Sequence, residues 1–264
     1  MQIGPGTRAL VTGASRGIGR ALVQALARRG AAVGLLARST GELEALAAEL
    51  PGEHQPLPAD AGDREAVEEA VGRFVEAVGG LELAVANAGI ASYGPFRDMS
   101  CETVERMTRV NWLGTVYLVN AVLPGMLDRA NGHIVIVSSG AGHRSFPAAS
   151  VYGATKAAQR MFGEALRHEL AGTGVSLTMV YPGEIATALH DHEKETMPDW
   201  YRGDDAVAPE RLAEKVIEGV EGDARSVYYP RLVRFLGAMH GVSPRASDAM
   251  LRALRGTTAA PRRD

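Results

Sequence analysis

Cysteine is nearly absent: Cys101 stands alone among 264 residues. It cannot pair within the chain, so no disulfide framework is possible, and neither is a four-thiolate zinc site. Following Ser100 at the start of an expected helix, it reads as an inert packed thiol. Charge of one sign is also missing. Twenty-eight Lys plus Arg face 31 Asp plus Glu, a formal charge of -3, which leaves no overall positive field to grip a nucleic-acid backbone. Long apolar runs are missing as well: no stretch of about 18 uncharged apolar residues is expected, hence no transmembrane segment. The start MQIGPGTRALVTG has no basic region ahead of an apolar one, and the chain reads as cytoplasmic. Repeats, low-complexity tracts and Pro/Gly/Ser linkers do not occur, so residues 1–264 are read as a single domain, long enough to hide roughly 70–75% of the unfolded surface. Lysine, finally, is scarce: 25 of the basic residues are Arg, and the three lysines are Lys156, Lys194 and Lys215.

Short apolar runs alternate along the chain with helically spaced segments. TRALVT (7–12) precedes residues 18–29, where Ile18, Ala21, Leu22, Ala25 and Leu26 recur at helical spacing. AVGLLA precedes 41–50, HQPLPA precedes 64–78, LELAVA precedes 100–129, HIVIVS precedes 151–171, and VSLTMV follows. Continuously apolar strands between helices of ten or more residues predict right-handed βαβ units and an α/β, doubly wound parallel sheet, a Rossmann-like three-layer sandwich. The pattern breaks near residue 184 into a polar stretch too long for an ordinary connection. Within it, 186–205 is a candidate substrate lid, where Leu189, Met197, Trp200 and Tyr201 either close on a lipophilic substrate or anchor the loop. A helix at 209–221 and a strand at 226–229 follow, then a basic amphipathic tail over about 230–264.

Between the first strand and its helix lies TGASRGIG (12–19), a glycine-rich turn that collects backbone N–H groups at a helix N-terminus, the geometry of a pyrophosphate site. Its spacing is G-x-x-x-G-x-G and differs from the common dinucleotide fingerprint. The second strand ends at Arg38 and Ser39, where a carboxylate would instead accept the ribose 2'-hydroxyl. With Arg16 in the glycine turn, two guanidinium forks point to a 2'-phosphate and hence to NADP(H) rather than NAD. Solvated arginines are the plain alternative in a chain that uses Arg as its default cation. Further along, Ser138 and Ser139 end the fifth strand, and Tyr152 and Lys156 lie one helical turn apart on one face. A phenol with an ordinary pKa near ~10 needs a nearby positive charge to exchange protons at neutral pH, and Lys156 supplies an ammonium.

With TGASRGIG at 12–19, NAG at 87–89, Asn111, VSS at 137–139, YGATK at 152–156 and PG followed by Thr187, all in order, the chain resembles the short-chain dehydrogenase/reductase (SDR) family over roughly residues 6–188. The resemblance implies Tyr152 as proton donor in reduction and acceptor in oxidation, and Ser139 as hydrogen-bond partner of the reacting oxygen, with Ser138 the runner-up. It implies Lys156 as both pKa-lowering ammonium and holder of the nicotinamide ribose, and Asn111 as support of a proton-relaying water. Gly13, Ser15, Arg16, Gly17, Ile18, Gly19, Arg38, Asp60, Asn87, Gly89, Pro182, Gly183, Ile185 and Thr187 fall on cofactor-contacting positions, as do Tyr152 and Lys156; Asp60 is placed at the adenine, Ile185 and Thr187 at the nicotinamide. Glu184 departs from the family's usual apolar residue, leaving open a carboxylate near the substrate or one facing solvent.

The expected activity is hydride transfer between NADP(H) and a ketone or secondary alcohol, with a lipophilic substrate favoured. A catalytically silent NADP(H)-binding sensor is the alternative, and the complete set Asn111, Ser139, Tyr152, Lys156 argues against it. His190 and His192 read as surface residues, and no metal is expected. The family's long helices predict a dimer, while the tail departs from the tetramer-forming end of many relatives. Residues 225–264 carry a formal +6 against -9 for the remainder. That tail either covers the pocket mouth, meets an anionic acyl carrier or peripheral membrane surface, or is simply solvated.

Overall fold

In the computed structural model, residues 1–187 and 206–255 are described, with side chains through 250. Residues 188–205 of the 186–205 lid candidate, with His190, His192, Leu189, Met197, Trp200 and Tyr201, and the last nine residues of the tail lie outside the described residues. Seven parallel strands form one sheet in the order β3-β2-β1-β4-β5-β6-β7, namely β1 (Arg8–Thr12), β2 (Ala32–Ala37), β3 (His54–Pro58), β4 (Leu83–Ala86), β5 (Gly132–Val137), β6 (Val175–Pro182) and β7 (Ser226–Tyr229). Because a parallel strand needs a crossover, each run of apolar residues is followed by a helix, and the inner strands are buried on both faces.

Helices α1 (Gly17–Arg28), α2 (Thr40–Glu49) and α7 (Pro209–Glu221) cover one face, packing Leu22, Leu26, Leu43, Leu212 and Val216 against Val11, Val33 and Val180. On the other face lie α3 (Arg64–Val78), α5 (Gly114–Asp128) and α6 (Ser150–Glu169), whose Phe74, Leu118, Val122 and Leu166 pack on Leu10, Ile134 and Leu177. The expected three-layer, Rossmann-like arrangement is what the chain forms.

The single helix expected over 100–129 is three pieces: α4 (Cys101–Met107), a π-helical turn (Thr108–Leu113) and α5. Thr108 Oγ1 donates to the Val104 carbonyl at 2.8 Å and Thr115 Oγ1 to the Asn111 carbonyl at 3.0 Å, side-chain bonds that compete with the helical ladder around the wider turn. Cys101, expected to be packed, is exposed in the first turn of α4. The absence of a long apolar run also needs correction. Cys101–Asp128, 28 residues, is long and apolar enough by length and composition to cross a membrane. Here Leu118, Val119, Val122 and Met126 are buried against the sheet, so that apolarity serves the core. The tail becomes two further helices, α8 (Leu232–Val242) and α9 (Pro244–Arg255), packed on each other beyond β7.

Candidate active site

The strand order reverses between β1 and β4, and in such sheets a crevice opens beyond the carboxyl ends of the strands. Thr12 and Asn87 fasten that point. Asn87 Nδ2 donates to the Thr12 carbonyl at 2.9 Å, and the Asn87 and Ala88 amides both donate to Thr12 Oγ1 at 3.0 Å. Gly13 has φ +67° and a Cβ there would lie 2.9 Å from Ala88 Cα, so the turn closes only with glycine. The cleft is lined by the sequence-selected Gly13, Ser15, Arg16, Gly17, Ile18, Arg38, Asp60, Asn87 and Gly89 and by Ser139, Tyr152, Lys156, Pro182, Gly183, Ile185 and Thr187; Thr187 reaches to Gly17, and Gly89 lies beside Lys156.

Two selected residues do not line it. Gly19 sits beneath the turn, where a Cβ would overlap the Gly13 carbonyl and approach Asn87 Nδ2 to 2.7 Å, so glycine here lets helix pack closely on turn. Asn111, fully buried, lies behind Lys156. Its Oδ1 accepts from Ile90 N at 2.8 Å, and its Nδ2 donates to Ile90 O at 2.9 Å and Thr155 Oγ1 at 3.0 Å, tying the π-helical turn to the loop after β4 and to α6.

Arg16, the N-cap of α1, and Arg38 are both exposed on the rim of the glycine end. Asp60 Oδ1 accepts from Gly62 N at 2.9 Å, which orients its carboxylate at the end of β3. Ser39, Glu42 and Arg106 share this lining and were not selected as site residues. Glu42 could have been found from its position one turn after Arg38, in the first turn of α2; Arg106 could not, since only packing carries α4 to this cleft.

At the other end, Ser138 Oγ donates to the Lys156 carbonyl at 2.8 Å, which occupies that hydroxyl. Ser139, at an extended φ of -168°, accepts from Ala141 N at 3.1 Å and also hydrogen-bonds the Tyr152 hydroxyl. Of the two serines, Ser139 is the one whose side chain meets the phenol. Burial pushes the Tyr152 phenol above its ordinary value, and the Ser139 hydrogen bond acts against that rise. Lys156 Nζ donates to the Val137 carbonyl at 3.0 Å and lies 5.9 Å from the Tyr152 ring centroid. Its amine is brought down to about 7 by burial. Desolvation is the largest influence on both groups, and at the phenol it acts opposite to the lowering expected of the Lys156 ammonium.

An apolar wall surrounds the phenol: Tyr93 meets Tyr152 edge-on at 5.7 Å and stacks on Phe146 at 5.9 Å, with Met107 and Ala149 behind. Sequence reading missed this wall because its members come from three separate loops and helices. The ends of the segment beyond Thr187 are joined, since Ala186 N donates to Val207 O at 2.9 Å and Val207 N to Glu184 O at 3.1 Å. Glu184 is half-buried and not part of the cleft lining. Among the described residues no group of three or more His, Cys, Asp or Glu could hold a metal ion.

Three comparisons bear on this arrangement. The family model of the short chain dehydrogenases matches residues 7–198. An uncharacterized oxidoreductase of Myxococcus xanthus is 38% identical over 214 residues, covering 80% of this chain and 84% of that protein. Among solved structures, a short chain dehydrogenase/reductase from Burkholderia phymatum in complex with NAD superposes with a TM-score of 0.84 at 24% identity, covering 96% of this chain and 97% of that one. A short-chain dehydrogenase from Streptomyces avermitilis superposes with a TM-score of 0.82 at 26% identity, covering 94% and 97%.

Proposed function

Because the chain belongs to the short-chain dehydrogenase/reductase family, a family of oxidoreductases that bind a nicotinamide cofactor, we propose that it moves hydride between NADP(H) and a lipophilic ketone or secondary alcohol. The observation that carries this reading is the convergence of Ser139, Tyr152 and Lys156 at one end of a cleft whose other end is a glycine turn rimmed by Arg16 and Arg38. The positive φ of Gly13 and the close approach of Ala88 leave a backbone cradle that a Cβ would fill, which fits a pyrophosphate. Arg16 and Arg38 are exposed, and Arg38 and Ser39 stand at the end of β2 where a carboxylate would select the 2'-hydroxyl, which favours a 2'-phosphate; the Burkholderia phymatum protein was solved in complex with NAD. When bound, the nicotinamide supplies the hydride in reduction and accepts it in oxidation.

The chain's own residues handle the proton and the oxygen. Tyr152 gives its phenolic proton to the carbonyl oxygen during reduction and takes it back during oxidation, while Ser139 donates a hydrogen bond to the same oxygen. Lys156, with its amine near 7, changes charge in the neutral range, and in its ammonium form it favours the phenolate one helical turn away. Asn111 holds the Ile90 backbone and Thr155, and so fixes the wall behind Lys156. Tyr93 and Phe146 beside the phenol exclude water and favour an apolar substrate flank. Leu127 of α5 and Met161 of α6 are exposed on the helices expected to pair two subunits, in keeping with a dimer.

Following NADPH absorbance with a panel of ketones and alcohols tests the reading. Turnover of an apolar carbonyl compound with NADPH, abolished in Tyr152→Phe, is expected. Tight NADPH binding without turnover of any compound in either direction would favour the sensor instead.

A further inference from the structure

The strongest unexplained surface is α8. Its eleven residues include no buried one, and three of the exposed large apolar side chains of the described residues lie on it: Leu232 at 57%, Phe235 at 58% and Val242 at 88% exposure. At 100° per residue these three fall within one narrow stripe. The opposite side of the helix is the one that packs. Val233 sits against Gly140 and Gly183, where a Cβ on either would come within 3.0 Å of it, and Gly237 sits against His143. The stripe therefore points away from the body. Arg231 and Arg234 are exposed beside it, and Arg245 is exposed on α9. Asp248, the one carboxylate between residues 224 and 263, is paired with Arg144 at 2.6 Å.

We propose that the α8–α9 hairpin docks on an anionic lipid surface, with Leu232, Phe235 and Val242 entering the headgroup boundary and Arg231, Arg234 and Arg245 meeting lipid phosphates. An apolar stripe edged by arginines is the pattern of a helix lying in the membrane interface. Charge favours this occupant: residues 225–264 carry +6 within a chain of -3, and anionic lipid attracts such a segment. At about 1.5 Å per residue, α8 is only about 16 Å long, too short to span a ~30 Å hydrocarbon core, so it lies flat. A second copy fits less well, because a two-fold contact through this stripe gathers the arginines of both subunits into one interface, while the tail's Asp248 is already paired with Arg144. The packed side of α8, opposite the docked stripe, adjoins the cleft, since Val233 rests on Gly183 and on Gly140 beside Ser139. The docking is independent of the proposed activity and stands or falls without it.

Vesicle co-sedimentation of the full chain tests it, comparing phosphatidylcholine vesicles with and without about 30% phosphatidylglycerol at about 50 mM and about 500 mM salt. Expected is sedimentation with the anionic vesicles at low salt, weakened by high salt and by neutral lipid. The exposed double variants Leu232→Ser/Phe235→Ser and Arg231→Gln/Arg234→Gln should each lower the partition coefficient by about tenfold or more. Circular dichroism matching the wild type keeps these losses attributable to the surface. No sedimentation of the wild type above a lipid-free control overturns the proposal, and so does undiminished binding by Leu232→Ser/Phe235→Ser. A wild-type oligomer that this variant dissociates in light scattering, without any vesicle binding, assigns the stripe to a second copy and overturns it equally.

Discussion

Lys156 is 4% exposed and donates to the Val137 carbonyl, and burial brings its amine from the 10.5 of an unfolded chain to about 7. That displacement has a thermodynamic consequence independent of catalysis. Below pH 7 the amine is protonated in both states, and the fold carries the whole burial penalty. Between 7 and 10.5 the unfolded chain still holds the proton that the folded chain has released, so stability rises with pH; above 10.5 the penalty is gone. The full span corresponds to about 5 kcal/mol, of which about 3 kcal/mol falls between pH 6 and pH 9. Lys156→Met keeps a side chain of similar length and removes the titration. Relative to wild type, the variant should therefore be favoured by about 3 kcal/mol more at pH 6 than at pH 9. Urea unfolding of both proteins by circular dichroism, at fixed protein concentration across this range, measures the difference. A difference that does not change with pH would mean that the amine titrates in the fold as it does in the unfolded chain, and would refute the reasoning.

Tyr152→Phe keeps the buried ring and deletes the transferable proton, so kcat should fall by about 10²-fold or more while NADPH affinity, read by calorimetry, is retained; near-normal turnover would remove Tyr152 from its role. Arg38→Asp places a carboxylate where the 2'-phosphate is expected, and NADH should then bind more tightly than NADPH; equal calorimetric affinities of the wild type for both would contradict the arginine reading. Gly19→Ala forces a methyl onto the Gly13 carbonyl, and should cost about 1–3 kcal/mol of stability by overpacking and weaken cofactor binding through the displaced turn. An alanine variant with unchanged melting temperature and unchanged affinity would show that α1 and the turn are not held by this contact.

Local pattern was enough to read most of the frame. Period and run length place β1, β2, β4, β5 and β6 and most of the helices, because a strand buried on both faces must be apolar throughout and an amphipathic helix must repeat near 3.6 residues, while the less buried edge strands β3 and β7 follow from the alternation with helices. The candidate site was also largely legible, since Gly13, Ser139, Tyr152 and Lys156 sit in short motifs whose spacing is set by one turn or one helical repeat. What local pattern could not supply depends on distant segments meeting. The π-helical turn around Asn111 lies between α4 and α5, and it is tied to Ile90 and to Thr155 and Gln159 on α6. The wall of Tyr93 and Phe146 around the phenol joins loops 53 residues apart, and Arg106 reaches the cleft only because α4 packs beside it. The pKa directions of Tyr152 and Lys156 follow from desolvation, and desolvation exists only once the chain is folded around them. The tail shows the same division: its charge and apolar spacing are properties of the sequence, but which side of α8 faces the body was decided by Gly140, Gly183 and His143, residues from two other parts of the chain that only tertiary packing brings to it.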